Sequence, residues 1–161
     1  MITKPQPFFP RWGPDVGRLN GGRGIFAGWN PTKEDERAIR SLYRVAQEVV
    51  RQMDRRGVPM LAGVDWNLGQ LPKLFVQDEL ELMVDSGMSP LAALRTATIN
   101  PAKYMEIDAT HGSVQPKKKA NLVLLEKSPL RDVRNTRLMS AVVLKGRYHN
   151  AEDLHLKRKG G

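Results

Sequence analysis

The 161-residue chain contains no cysteine, which removes disulfide frameworks and thiolate metal sites from consideration. Aromatic residues make up only 6% of it. No apolar run approaches the roughly 18 residues of a membrane span, so no membrane partner is expected. Met1-Ile2-Thr3-Lys4-Pro5 has one lysine with no continuous apolar stretch behind it. It does not read as a secretory signal, and a cytoplasmic setting is favoured. Histidine is scarce too: His111, His149 and His155 are the only three. None forms a His-x-His pair and no two stand at helical i, i+4 spacing, so all three read as ordinary surface histidines. A catalytic zinc usually takes three protein ligands, and these residues do not supply such a set.

Hydrophobic residues account for 40% of the chain, enough for one ordinary domain or for a piece of a larger one. The net charge is +9, unevenly spread. Residues 1–56 hold 11 Lys and Arg against 6 Asp and Glu, residues 57–107 hold 3 against 6, and residues 108–161 hold 12 against 5. A basic chain invites a nucleic-acid reading, and Phe8, Phe9, Trp12, Phe26 and Trp29 interleave with Arg11, Arg18 and Arg23. No nucleic-acid module pattern accompanies them. Solvated surface accounts for the charge, and no nucleic-acid partner is expected. Asn20-Gly21-Gly22-Arg23-Gly24 lacks the preceding strand and following helix of a phosphate cradle.

Regular structure begins after a Pro- and Gly-rich stretch over residues 1–31. Thr32 followed by Glu34 and Asp35 marks a helix start, and Leu42, Val45, Ala46, Val49, Val50 and Met53 recur at helical spacing. The pattern predicts a helix over 32–56, stopped by Gly57. Val58-Pro59-Met60-Leu61-Ala62-Gly63 is a short apolar run suited to a buried parallel strand. Helices are predicted over 73–86 and, from Ser89-Pro90, over 90–98, with Asn100-Pro101 ending the latter and starting a further turn. Leu122-Val123-Leu124-Leu125 and Ala141-Val142-Val143-Leu144 predict strands near 121–126 and 139–145.

These segments together carry a resemblance. Gly57 to Asp65 resembles the last barrel strand of the amidohydrolase superfamily, in its imidazolonepropionase-like and prolidase-like branch. Glu79-Leu80-Glu81-Leu82-Met83-Val84-Asp85-Ser86-Gly87-Met88-Ser89-Pro90 and Ala97-Thr98-Ile99-Asn100-Pro101-Ala102 resemble the helices that follow it. Gly112-Ser113-Val114 and Ala120-Asn121-Leu122-Val123-Leu124-Leu125 resemble strands of the family's small β-sandwich.

The resemblance implies an α/β chain. It would be the C-terminal fragment of a (β/α)8 barrel, its last helix-strand-helix units over 1–107, followed by part of a β-sandwich with a basic tail over 108–161. It implies a metal-dependent hydrolase of amide or cyclic amide bonds, with zinc or another divalent metal at the C-terminal ends of the strands. Asp65 stands where the family's strand-eight aspartate binds metal and takes a proton from the attacking water. Asp65 is therefore the candidate catalytic residue and metal ligand. The family's other metal ligands, its His-x-His pair and further histidines, have no counterpart here. Hydrolysis by this chain alone is therefore not expected, and the alternative is a non-catalytic binding or structural module. Val64 replaces a usual threonine, Gln77 a common histidine, Lys117 a usual turn glycine and Asn121 a usual aspartate. A small-molecule amide is the partner expected when the rest of the barrel is present, and an apolar strand without neighbours makes self-association an expectation.

Overall fold

The computed structural model describes residues 32–63 and 76–151. Its elements in chain order are helix α1 (Lys33–Arg55), helix α2 (Val76–Asp85), helix α3 (Pro90–Thr96) and helix α4 (Ile99–Tyr104). Strand β1 (Leu122–Leu125), a 3-10 turn (Val133–Arg137), and strands β2 (Met139–Leu144) and β3 (Arg147–Asn150) follow. The chain falls into two compact units. Of the described residues, one holds 32–58, 63 and 76–88, and the other holds 59–62 and 89–151.

In the first unit, α1 starts on a capping box: Thr32 Oγ1 accepts from the Asp35 amide at 3.1 Å, and Asp35 Oδ2 accepts from the Thr32 amide at 2.8 Å. It ends as its sequence predicts. Gly57, at φ +68°, sends its amide to the Asp54 carbonyl, and Val58 sends its amide to the Met53 carbonyl. That is a Schellman closure, which places glycine in the left-handed region. Helix α2 closes in the same way at Gly87, φ +102°, with Met88 bonded back to Met83. Leu80, Met83 and Met88 are buried, and Gln47 Nε2 of α1 donates to the Asp85 carbonyl of α2 at 3.4 Å. Glu79 is pushed above the ordinary carboxylate range by burial.

The second unit opens with a departure from expectation. Residues 58–63 form no strand; Val58 and Leu61 are exposed, and Met60 and Ala62 are only half-buried. A buried parallel strand needs a ladder partner on each side, and no described segment pairs with this one. Its contacts run instead to the α3–α4 pair. Ser89 caps α3 by accepting from the Ala92 amide at 3.1 Å, with Pro90 in the first position, as expected. Helix α3 stops earlier than the sequence suggests, at Thr96. Asn100-Pro101 lies inside the first turn of α4, where a missing proline N–H leaves no bond unmade.

β1, β2 and β3 form one antiparallel sheet in that order. Leu122 lies opposite Val143, and Val143 opposite Tyr148. The first two strands match the predicted runs. The third was not anticipated. It is generated by Lys145-Gly146, whose φ values of +51° and +79° make a two-residue turn of the kind that matches strand twist.

The loop leading to β1 is fastened in two ways. Gly112, at φ +82°, lies so close to α4 that an added Cβ would stand 2.6 Å from Ala102 Cβ and 3.0 Å from Ile99 Cα. The Lys118 ammonium donates to the Asp108 carbonyl at 2.5 Å, to Ser113 Oγ at 2.7 Å and to the His111 carbonyl at 3.3 Å. Lys117 beside it occupies the left-handed region at φ +70°, a conformation that glycine adopts without strain.

Two substitutions therefore move stability in opposite directions. Gly112→Ala should cost about 2–4 kcal/mol, from overpacking plus left-handed strain. Lys117→Gly should be neutral or stabilising by up to about 1 kcal/mol. Denaturant titration of the two variants checks both. A pH series probes Glu79. A carboxyl held above its unfolded value stabilises below the unfolded pKa, and that contribution is lost as pH rises through the folded pKa. Stability should fall across that window, and Glu79→Gln should flatten the fall.

Candidate functional site

Asp65, the candidate ligand and base, lies outside the described residues, as do His155 and residues 1–31. What the structure does describe is the chain that leads to it. Met60 and Ala62 are held from α3 and α4 by two hydrogen bonds. Asn100 Nδ2 donates to the Met60 carbonyl at 2.9 Å, and the Ala62 amide donates to the Thr96 carbonyl at 3.0 Å. Thr96 is only 1% exposed, and its hydroxyl donates to the Ala93 carbonyl at 2.6 Å, so the acceptor for Ala62 belongs to a fixed turn. Ala93 and Ala102 are buried beside it. Small side chains there let the helices approach closely enough for main-chain contact.

This clasp sets the path of the backbone three residues ahead of Asp65. Sequence reasoning missed it. Asn100-Pro101 read as the end of one helix and the start of a further turn, and the use of the Asn100 amide as a tether went unseen. The available signal was an amide side chain in a stretch of otherwise small or apolar residues, since a half-buried amide is nearly always hydrogen-bonded.

A second concavity, about 510 Å³, is lined by His111, Lys119, Ala120, Asn121, Lys145 and Gly146. His111 Nδ1 lies 2.8 Å from the Thr110 hydroxyl. Asn121 Oδ1 accepts from the Lys145 amide at 2.8 Å and so closes the β2–β3 turn onto β1. An aspartate at this position would accept the same bond. The lining brings one histidine together with two lysines and no carboxylate, which is not a metal-ligand set. His149 sits apart on β3, opposite Val142.

Among the described residues, no group of three His, Cys, Asp or Glu side chains gathers to hold a metal. The described residues by themselves do not fit a catalytic divalent metal. No helix among them is long and apolar enough to cross a membrane.

The amidohydrolase family profile matches residues 35–148, more than half of the chain. The chain belongs to the amidohydrolase family. An imidazolonepropionase of Flavobacterium johnsoniae is 34% identical over 79 residues, which cover 46% of this chain and 18% of that protein. Among solved structures, a Xaa-Pro dipeptidase with bound methionine aligns at TM-score 0.58 and 25% identity, over 65% of this chain and 25% of its own. Molinate hydrolase aligns at TM-score 0.54 and 29% identity, over 70% and 27%. This amidohydrolase chain thus spans about a quarter of the length of the solved structures it matches, and less of the imidazolonepropionase. Amidohydrolases generally use divalent metals.

The clasp predicts a local effect. Asn100→Ala should cost about 1–3 kcal/mol, the penalty for leaving the Met60 carbonyl without its donor. It should also speed hydrogen exchange at the Ala62 amide ahead of exchange in the β1–β2–β3 sheet. Unchanged Ala62 protection would show that the tether does not hold this segment.

Proposed function

We propose that this chain supplies the closing segment of an amidohydrolase barrel and part of its small β-domain, and that the assembled enzyme hydrolyses an amide or cyclic amide bond with a divalent metal. Residues 1–107 would end the barrel and residues 108–161 would contribute to the β-sandwich. The observation that carries the reading is the family match over residues 35–148, a range that includes the clasp ahead of Asp65. In this reading Met60–Ala62 acquires strand neighbours only from the rest of the barrel, which accounts for its unladdered backbone.

Asp65 would provide one carboxylate to the metal and accept the proton of the attacking water. A bound divalent metal lowers the pKa of its water toward neutrality, which makes a nucleophile available at ordinary pH. The remaining ligands would come from segments carrying the family's histidines. The chain's own contribution is positional. The helix turn at Thr96 and the Asn100 amide aim the residues before Asp65, and a misplaced ligand is costly in rate.

The runner-up is a non-catalytic module descended from the same fold. Val64 and Gln77, which replace a hydroxyl and an imidazole common in the family, favour it.

Hydrolysis assays separate the two. The purified chain with added zinc should show no turnover of N-acyl dipeptides or cyclic imides above the blank. Combined with a polypeptide carrying the family's His-x-His portion, it should gain turnover, and Asp65→Asn should reduce that by about a hundredfold or more. Turnover by the chain alone that vanishes in Asp65→Ala would overturn the need for other segments. A folded combination that binds zinc and never turns over would favour the non-catalytic module.

A further inference from the structure

Helix α1 has two apolar faces, and among the described residues the first unit covers only one of them. Ile39, Tyr43, Gln47 and Val50 are half-buried at helical spacing, and this is the face from which Gln47 reaches the Asp85 carbonyl of α2. Ala38, Leu42, Val45 and Val49 form a second stripe, displaced around the helix and exposed. Leu42, Val45 and Val49 are 69%, 59% and 51% exposed. Their spacing of four, three and four residues is that of a coiled-coil seam, narrower than the stripe by which a helix packs into a globular core.

We propose that this stripe pairs with the same stripe of a second copy of the chain, the two α1 helices running antiparallel. Charge complementarity selects the arrangement. With Leu42 opposite the partner copy's Val45, Ala38 falls opposite the partner copy's Val49, and four apolar layers close symmetrically. The positions flanking the seam on one side are Glu34, Ser41, Glu48 and Arg55. In this register Glu34 meets the partner copy's Arg55 at both ends, and Ser41 meets the partner copy's Glu48 in the middle. Asp35 and Gln52 form the polar outer layers. Sliding one heptad sets Glu48 against its own symmetry mate and Leu42 against Gln52. A parallel pair brings none of the flanking charges opposite a charge of the other sign. Glu34 and Arg55 are both exposed, and Arg55 lies in the last turn of α1. The pairing is isologous, so it closes at two copies.

Sedimentation equilibrium of the full chain tests the surface. The wild type should be dimeric at micromolar concentration. Leu42→Lys and Val45→Lys should each weaken dimerisation at least tenfold while helical circular dichroism is retained, because both positions are exposed in the single chain. Glu34→Arg and Arg55→Glu should each weaken the dimer, and the double variant should recover most of the loss. The chain lacks cysteine, so a mixture of Leu42→Cys and Val45→Cys chains should oxidise to the mixed disulfide in preference to either homodimer. A monomer at all concentrations would overturn the proposal, as would a dimer unaffected by Val45→Lys. Predominant Leu42→Cys homodimers would overturn the antiparallel register. A monomer whose tryptophan emission shifts in Leu42→Lys would assign the stripe to the chain's own aromatic segment and likewise overturn it.

Discussion

The absence of a side chain at Gly112 is the constraint on which the second unit depends. A single methyl there would meet Ala102 Cβ at 2.6 Å, and the α4 backbone leaves it no alternative space. Because the position is glycine, the loop before β1 lies directly on α4. The Lys118 ammonium then gathers the Asp108 and His111 carbonyls and the Ser113 hydroxyl into one turn. The same helix pair holds Met60 and Ala62 through Asn100 and Thr96. The buried residues of this unit are small: Ala93, Thr96, Ala102, Val133 and Ala141. It is held by close main-chain approach more than by large interdigitating side chains, so it tolerates added volume poorly.

That economy of core has a counterpart at the surface. Val58, Leu61, Leu91, Val123, Leu124 and Leu144 are all exposed. Apolar area left in water costs roughly 25 cal/mol per Å², so several hundred Å² of it is comparable with the net stability of a domain. Exposed apolar residues of this kind are available to pack against other chain segments. The proposed closing role in a barrel and the seam on α1 are two distinct expressions of it, one along Met60–Ala62 and one along Leu42–Val49.

The substitutions that the resemblance picked out in the β-portion divide by physical consequence. Asn121 supplies the acceptor that fastens the β2–β3 turn through the Lys145 amide, a bond that an aspartate would accept equally while adding a charge. Lys117 does not preserve its function as well. It holds a left-handed conformation that glycine adopts without strain, and the neighbouring Lys118 contacts hold the turn regardless. Departures in the β-portion are thus compatible with an intact fold.

Local rules made much of this molecule legible from its residues. The Thr32 capping box, the Gly57 and Gly87 closures, the Ser89-Pro90 start and the β1 and β2 runs follow from hydrogen-bonding and dihedral preferences that act within a few residues. The family, too, could be read from the order of its segments. Three features could not. Val58–Gly63 has a strand's composition, but a strand exists only when neighbours supply its ladder, and composition does not carry their presence. β3 depends on Lys145 accepting a left-handed conformation that Asn121 helps to hold from 24 residues away. Asn100 became a tether because folding brought the Met60 carbonyl within 2.9 Å of its amide. Short-range preferences decided where elements begin and end, whereas contacts between residues distant in sequence decided which of them became structure.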